Sequence, residues 1–142
     1  MNLEKALVEA AEYFAREMLA DKARLTASTP RKRAWTASID VIGDERWNVK
    51  IHISKPVLKK MAGLFLNIES PSDEELRDLL KEASNAVAGR AKAVASDRGL
   101  QFAISTPRFE GGSKPIRNDA EIILHFLFAN DVFTISAKRE RQ

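Results

Sequence analysis

Cysteine is absent from the 142-residue chain. That removes a disulfide framework, a cysteine-based zinc site and a thiol nucleophile together, and it fits a reducing compartment. Histidine is scarce: His52 and His125 are the whole supply, too few for a metal centre built mainly of imidazoles. No apolar run reaches the about 18 residues that a membrane-spanning helix needs. Met1-Asn2-Leu3-Glu4-Lys5 places charge where a secretory signal would begin its apolar stretch. An excess of one charge is lacking too. The 23 basic and 20 acidic side chains leave a net +3, a surplus that serves solubility more than nucleic-acid binding. What remains is 44% hydrophobic and 30% charged, the balance of a globular chain. The length suits a single domain, residues 1–142. The expectation is a soluble, cytoplasmic protein without processing.

The apolar residues then show which elements to expect. Leu3, Leu7, Ala10, Ala11, Phe14 and Met18 recur at helical spacing over residues 3–20, with Asn2 as N-cap and Lys5, Glu9, Glu12 and Arg16 on the other side. Strict alternation follows. Trp35, Ala37, Ile39 and Val41, then Trp47, Val49, Ile51 and Ile53, lie on one face of a hairpin turning at Gly43-Asp44-Glu45. The opposite face carries Thr36, Ser38, Asp40, Asn48, Lys50, His52 and Ser54, and His52 is expected to be exposed there. Ser54 and Pro56 open a short helix over 55–65. Ser72 and Glu75 form a capping-box pattern, and Asp73, Glu74 and Glu75 complement the helix dipole. This long helix should run to about Arg98, with Gly99 as its C′ residue. The remainder reads as strands at 100–106, 121–129 and 132–137. The second is apolar enough to lie centrally or at a subunit contact, and Asn130-Asp131 turns it into the third. The charged tail from Lys138 is expected to fray.

The halves resemble each other. Leu7-Val8-Glu9-Ala10-Ala11-Glu12 aligns with Leu80-Lys81-Glu82-Ala83-Ser84-Asn85, and Ser28-Thr29-Pro30-Arg31 recurs as Ser105-Thr106-Pro107-Arg108. The expected fold is α+β: duplicated helix-plus-hairpin units, about 1–66 and 72–138, related by a pseudo-two-fold axis. Their hairpins merge into one antiparallel sheet with long helices on one face.

On the long helix, Glu82, Asn85, Gly89, Lys92 and Ser96 lie within about 40° of Asp78 at 100° per residue. Leu76, Leu80, Ala83, Val87, Ala91 and Val94 lie opposite and account for folding. Nothing in the fold asks for Asn or Gly on the outward face, where Gly costs roughly 1 kcal/mol against Ala. Gly89, one turn beyond Asn85, leaves bare backbone where another molecule can come close. A solvated polar face with a chance glycine would account for the same residues.

Asp78-x3-Glu82-x2-Asn85, followed by Gly89 and Pro107, resembles the signature of the CheC/CheX/FliY chemotaxis phosphatases. Glu9 matches the family glutamate in the first helix, but Glu12 stands where a second Asn would be. Lys5–Glu9 and Glu12–Arg16 have i,i+4 ion-pair spacing, so that stripe reads as surface-stabilising. The pattern is closest to a CheX-like branch with one intact motif. Gly43-Asp44-Glu45-Arg46 departs from the glycine-rich hairpin of a close CheX relative.

The resemblance implies an enzyme of two-component signalling, a hydrolase that removes phosphate from the aspartyl-phosphate of a CheY-like response-regulator receiver. Asn85 would position the attacking water and Glu82 would pair with a basic group of the receiver. Asp78, Gly89 and Pro107 would contribute to binding. The resemblance implies no cofactor of the chain's own: Mg²⁺ sits on the partner receiver. A homodimer is also implied. A rival reading keeps the fold but makes the chain a non-catalytic receiver-binding or switch-complex module. Nucleic-acid binding through Arg31-Lys32-Arg33 and the basic tail finds no base-reading helix or aromatic platform to support it. No membrane contact is expected, and neither histidine is assigned a catalytic role.

Overall fold

A computed structural model describes residues 3–20, 23–30, 33–114, 119–128 and 130–140. The elements are α1 (Leu3–Met18), β1 (Ala23–Thr26), β2 (Ala34–Ile42), β3 (Arg46–Ile53), α2 (Lys55–Phe65), α3 (Asp73–Asp97), β4 (Ala103–Ile104), β5 (Arg108–Lys114), β6 (Ile122–Phe128) and β7 (Asp131–Glu140). The strands form one seven-stranded sheet in the order β1-β6-β7-β3-β2-β4, with β5 also on β2. Every ladder is antiparallel. The order mirrors itself about the β3–β7 ladder. β1 lies on β6, while β4 lies on β2. Ser28-Thr29-Pro30 follows β1, and Ser105-Thr106-Pro107 follows β4.

The helices pack on one face. α1 buries Leu3, Leu7, Ala10, Ala11 and Phe14, and α3 buries Leu76, Leu80, Ala83, Val87, Ala91 and Val94. Both apolar faces read from periodicity therefore point inward, onto Ala37, Ile39, Val41, Val49, Ile51 and Ile53 of the sheet. Two cross-ties hold α1 antiparallel to α3. Arg98 reaches Glu9 at 2.6 Å, and the Arg90 guanidinium sits 4.2 Å from the Tyr13 ring centroid.

The ends of α3 are fixed locally. The Ser72 hydroxyl accepts from the Glu75 N–H at 3.1 Å, and the Ser72 N–H donates to the Glu75 carboxylate at 3.0 Å, closing both halves of the capping box. Gly99 has φ +79°. The Leu100 N–H reaches the Ala95 carbonyl at 2.9 Å and the Gly99 N–H reaches Ser96 at 3.0 Å, which is the Schellman closure. The proposed cap Asn2 lies outside the described residues.

Several expectations are corrected. β4 has only two residues, not the stretch 100–106, because β2 offers pairing there only at Val41 and Ile42. β1 and β5 were not anticipated. β5 carries Gly111 and Gly112 and meets β2 through register shifts, which erases the alternation that marks a strand in sequence. β6 is not central. It is second from the edge, with Ile122, Leu124, Phe126 and Phe128 buried in this chain's own core and Ile123 38% exposed. The tail is paired rather than frayed: Glu140 lies opposite Arg46 and Arg139 opposite Trp47. Arg139 reaches Glu45 at 3.3 Å, and Lys138 is bonded to Asp119, so this basic stretch is neutralised within the sheet. Arg31, Lys32, Ala129 and Arg141-Gln142 lie outside the described residues.

His52 is the largest departure. It is 2% exposed, with Nδ1 3.0 Å from the Thr36 hydroxyl and Nε2 3.0 Å from that of Ser136. The sheet face away from the helices is polar but covered. Arg108 bonds to Ser38 at 3.2 Å and to both Asp40 oxygens at 3.1 and 3.2 Å, and Lys50 reaches Glu110 at 2.9 Å. These long side chains shield the hydroxyls beneath them, and each buried polar group needs such a partner.

Candidate functional site on the long helix

The outward stripe of α3 is formed as the spacing predicts. Glu82 and Asn85 are both exposed, and neither side chain has a hydrogen bond or ion pair among the described residues. They project from a helix whose opposite face is locked into the core, so the side chains are free to move while their Cα positions are not. Residues three apart on a helix stand with Cβ atoms roughly 5–6 Å apart. A carboxylate and a carboxamide are thus presented together to solvent.

The other sequence candidates divide. Gly89 lies one turn further along, and a Cβ built there meets no atom within 4 Å. Its glycine answers to no packing demand of this chain. Asp78 forms an i,i+3 ion pair with Lys81 at 3.9 Å, its side chain 68% exposed, and has no bond to Glu82. Pro107 stands in the short link between β4 and β5. Phe109, after it, lies 5.8 Å from the Arg77 guanidinium, and Ala103, before it, borders a cavity shared with Lys92 and Ser96. The link that holds Pro107 thus joins two strands that each touch α3.

The first helix offers no second site. Glu9 is tied to Arg98 of α3, and the anticipated Glu12–Arg16 pair is replaced by Arg16 lying 5.8 Å from the Tyr13 ring. Glu9 is thus taken by an interhelical tie and Arg16 by a ring of its own helix.

Electrostatic perturbation lies away from the stripe, on the far face of the sheet. Hydrogen bonds from Arg108 hold the Asp40 carboxyl below its ordinary range, helped by Asn48. Partial burial pushes the Glu110 carboxyl up, but bonds from Lys50 and Ser38 together with nearby positive charge leave it lowered. Burial lowers His125, whose Nδ1 lies 2.8 Å from the Thr134 hydroxyl. His125 is half-buried. These groups are structural ion pairs and ladders. No group of His, Asp and Glu that could hold a metal ion occurs among the described residues. No helix among them is long and apolar enough to cross a membrane.

The class defined by this fold and stripe is an α+β protein that offers an unpaired carboxylate–carboxamide pair from one long helix. The family described as chemotaxis phosphatase CheX matches residues 35–126, a span that includes all of α3 and Pro107. The chain belongs to that family. No curated protein matches it. Among solved structures, CheX from Vibrio vulnificus is 21% identical, with 99% of this chain and 97% of that one covered at a TM-score of 0.81. A CheC-like superfamily protein from Shewanella sp. PV-4 is 22% identical, covering 99% and 100% at 0.76. The CheX–CheY–BeF3–Mg2+ complex from Borrelia burgdorferi matches at 16% identity, covering 96% and 97% at 0.75. At such identities the likeness establishes the fold: helices over an antiparallel sheet.

Proposed function

We propose that the chain hydrolyses the aspartyl-phosphate of a CheY-like receiver, with Asn85 and Glu82 of α3 entering the receiver's phosphorylated pocket. The observation that carries this reading is the Glu82–Asn85 pair, held open and unpaired on a rigid helix in a chain of the CheX family. The CheX–CheY complex of the Borrelia burgdorferi relative supports a receiver as the partner class.

The chemistry asked of this chain is small. Water adds to phosphorus, the bond from phosphorus to the aspartyl oxygen breaks, and inorganic phosphate and a free carboxylate remain. The receiver brings its own divalent cation, which offsets charge on the phosphoryl group. A carboxamide donates and accepts hydrogen bonds at once, so Asn85 can hold a water in line without titrating. Glu82, one turn away, offers a carboxylate to a basic group of the receiver and fixes the approach. Gly89 lets the partner surface come against backbone. Asp78 and Pro107 border the contact.

The test is decay of a phosphorylated receiver with catalytic amounts of wild type, Asn85→Ala and Glu82→Ala. Asn85→Ala slows decay by about 10²-fold, and Glu82→Ala weakens binding and turnover together. Wild type that alters the lifetime only at stoichiometric amounts would instead be a binding module.

A further inference from the structure

Beyond Gly89 the stripe of α3 continues to Lys92 and Ser96, which border a cavity of about 420 Å³ lined also by Ile42, Gln101, Phe102 and Ala103. Three observations bear on its occupant. The first is charge. Arg77 and Arg90 lie over aromatic rings, Lys81 pairs with Asp78 and Arg98 with Glu9. Lys92 has no such partner among the described residues. The second is the apolar floor: Ile42 is 37% exposed, a large aliphatic side chain left in the open beside that cation. The third is continuity. Asn85 and Lys92 are two turns apart, roughly 10 Å along the axis, and only the bare Cα of Gly89 intervenes, with nothing within 4 Å of its missing Cβ. A stable interface covers about 800 Å² on each partner. As a disc centred on Asn85 this has a radius of about 16 Å, enough to reach the cavity along the stripe.

We propose that this cavity is a second anchor for the phosphorylated receiver: it takes an apolar side chain of a receiver surface loop while a neighbouring receiver carboxylate pairs with Lys92. The inference rests on the receiver reading above. The Glu82–Asn85 pair sets the approach at one point of the helix, and a second anchor two turns along the same helix resists rotation about that point.

The experiment titrates a CheY-type receiver from the same organism, activated with beryllofluoride and Mg²⁺, against wild type, Lys92→Glu and Ser96→Trp. The first variant reverses the charge and the second fills the cavity mouth. Lys59→Glu, exposed on α2 and not among the residues lining the cavity, is the control for net charge, and thermal melts verify folding. Lys92→Glu and Ser96→Trp raise Kd by about tenfold, and KM for the phosphorylated receiver moves with it. Lys59→Glu leaves both unchanged. The Lys92→Glu effect shrinks at high salt. Wild-type Kd in both folded variants, with wild-type turnover intact, overturns the second anchor and leaves the phosphatase reading standing. If wild type neither binds nor accelerates decay, it is the receiver reading itself that fails.

Discussion

Replacing Asn85 by Ala separates function from folding, and the two effects have opposite signs. The Asn85 side chain is exposed and makes no contact with a polar partner among the described residues, so truncation removes nothing that holds α3 in place. Ala is a better helix former than Asn by about 0.5 kcal/mol. For a domain of this size the thermal midpoint should hold or rise by about 2 °C. Turnover moves the other way. Loss of one polar group aimed at the reacting centre costs about 10²-fold, equivalent to about 2.7 kcal/mol of barrier. The assay pairs a thermal melt with single-turnover decay of a phosphorylated receiver at saturating protein. A variant that is as stable as wild type and about a hundredfold slower supports the assignment. A phospho-receiver lifetime identical with wild type and variant refutes it, because the only role left for Asn85 would be solvation.

Ser72→Ala should cost about 1 kcal/mol, read as a thermal midpoint about 3 °C lower, because the Glu75 N–H loses the acceptor it holds at 3.1 Å. Gly89→Leu has open space around its Cβ and gains about 0.8 kcal/mol of helix propensity. It should melt higher while its KM for the phosphorylated receiver rises, since the new side chain fills the gap that lets the partner approach. Asp40→Asn bears on pH. The Asp40 carboxyl is held below the ordinary carboxylate range by its hydrogen bonds from Arg108, so the ion pair stabilises the fold above the unfolded pKa and its contribution is lost as pH falls through the lowered folded pKa. With the Arg108 side chain 49% exposed, solvent limits the effect to about 0.5–1 kcal/mol. Denaturant melts of wild type and variant should differ near pH 7, and the difference should shrink as pH falls below about 4 through the lowered folded pKa.

Much of this protein was legible locally. The capping box at Ser72–Glu75, the Gly99 stop and the apolar spacing of α1, α2 and α3 depend on residues a few positions apart, where sequence distance equals spatial distance. The hairpin faces at 35–41 and 47–53 follow from a period of two. The stripe carrying Glu82, Asn85 and Gly89 is legible for the same reason, because one helix places all of it.

What required the assembled molecule was every property that depends on a remote neighbour. β1 and β5 become strands because β6 and β2 offer them an open edge, not because their own residues alternate. His52 is buried because Thr36, 16 positions away, and Ser136, 84 positions away, converge on its ring. Glu9 turns from an intrahelical partner into a tie to Arg98 once α1 and α3 lie antiparallel. The cavity beside Lys92 exists only where the end of α3 meets Ile42 and the segment 101–103. The sequence determined the helix face and its chemistry through local periodicity. The tertiary structure decided which of its charges were left without a partner, because pairing is settled by distance in space.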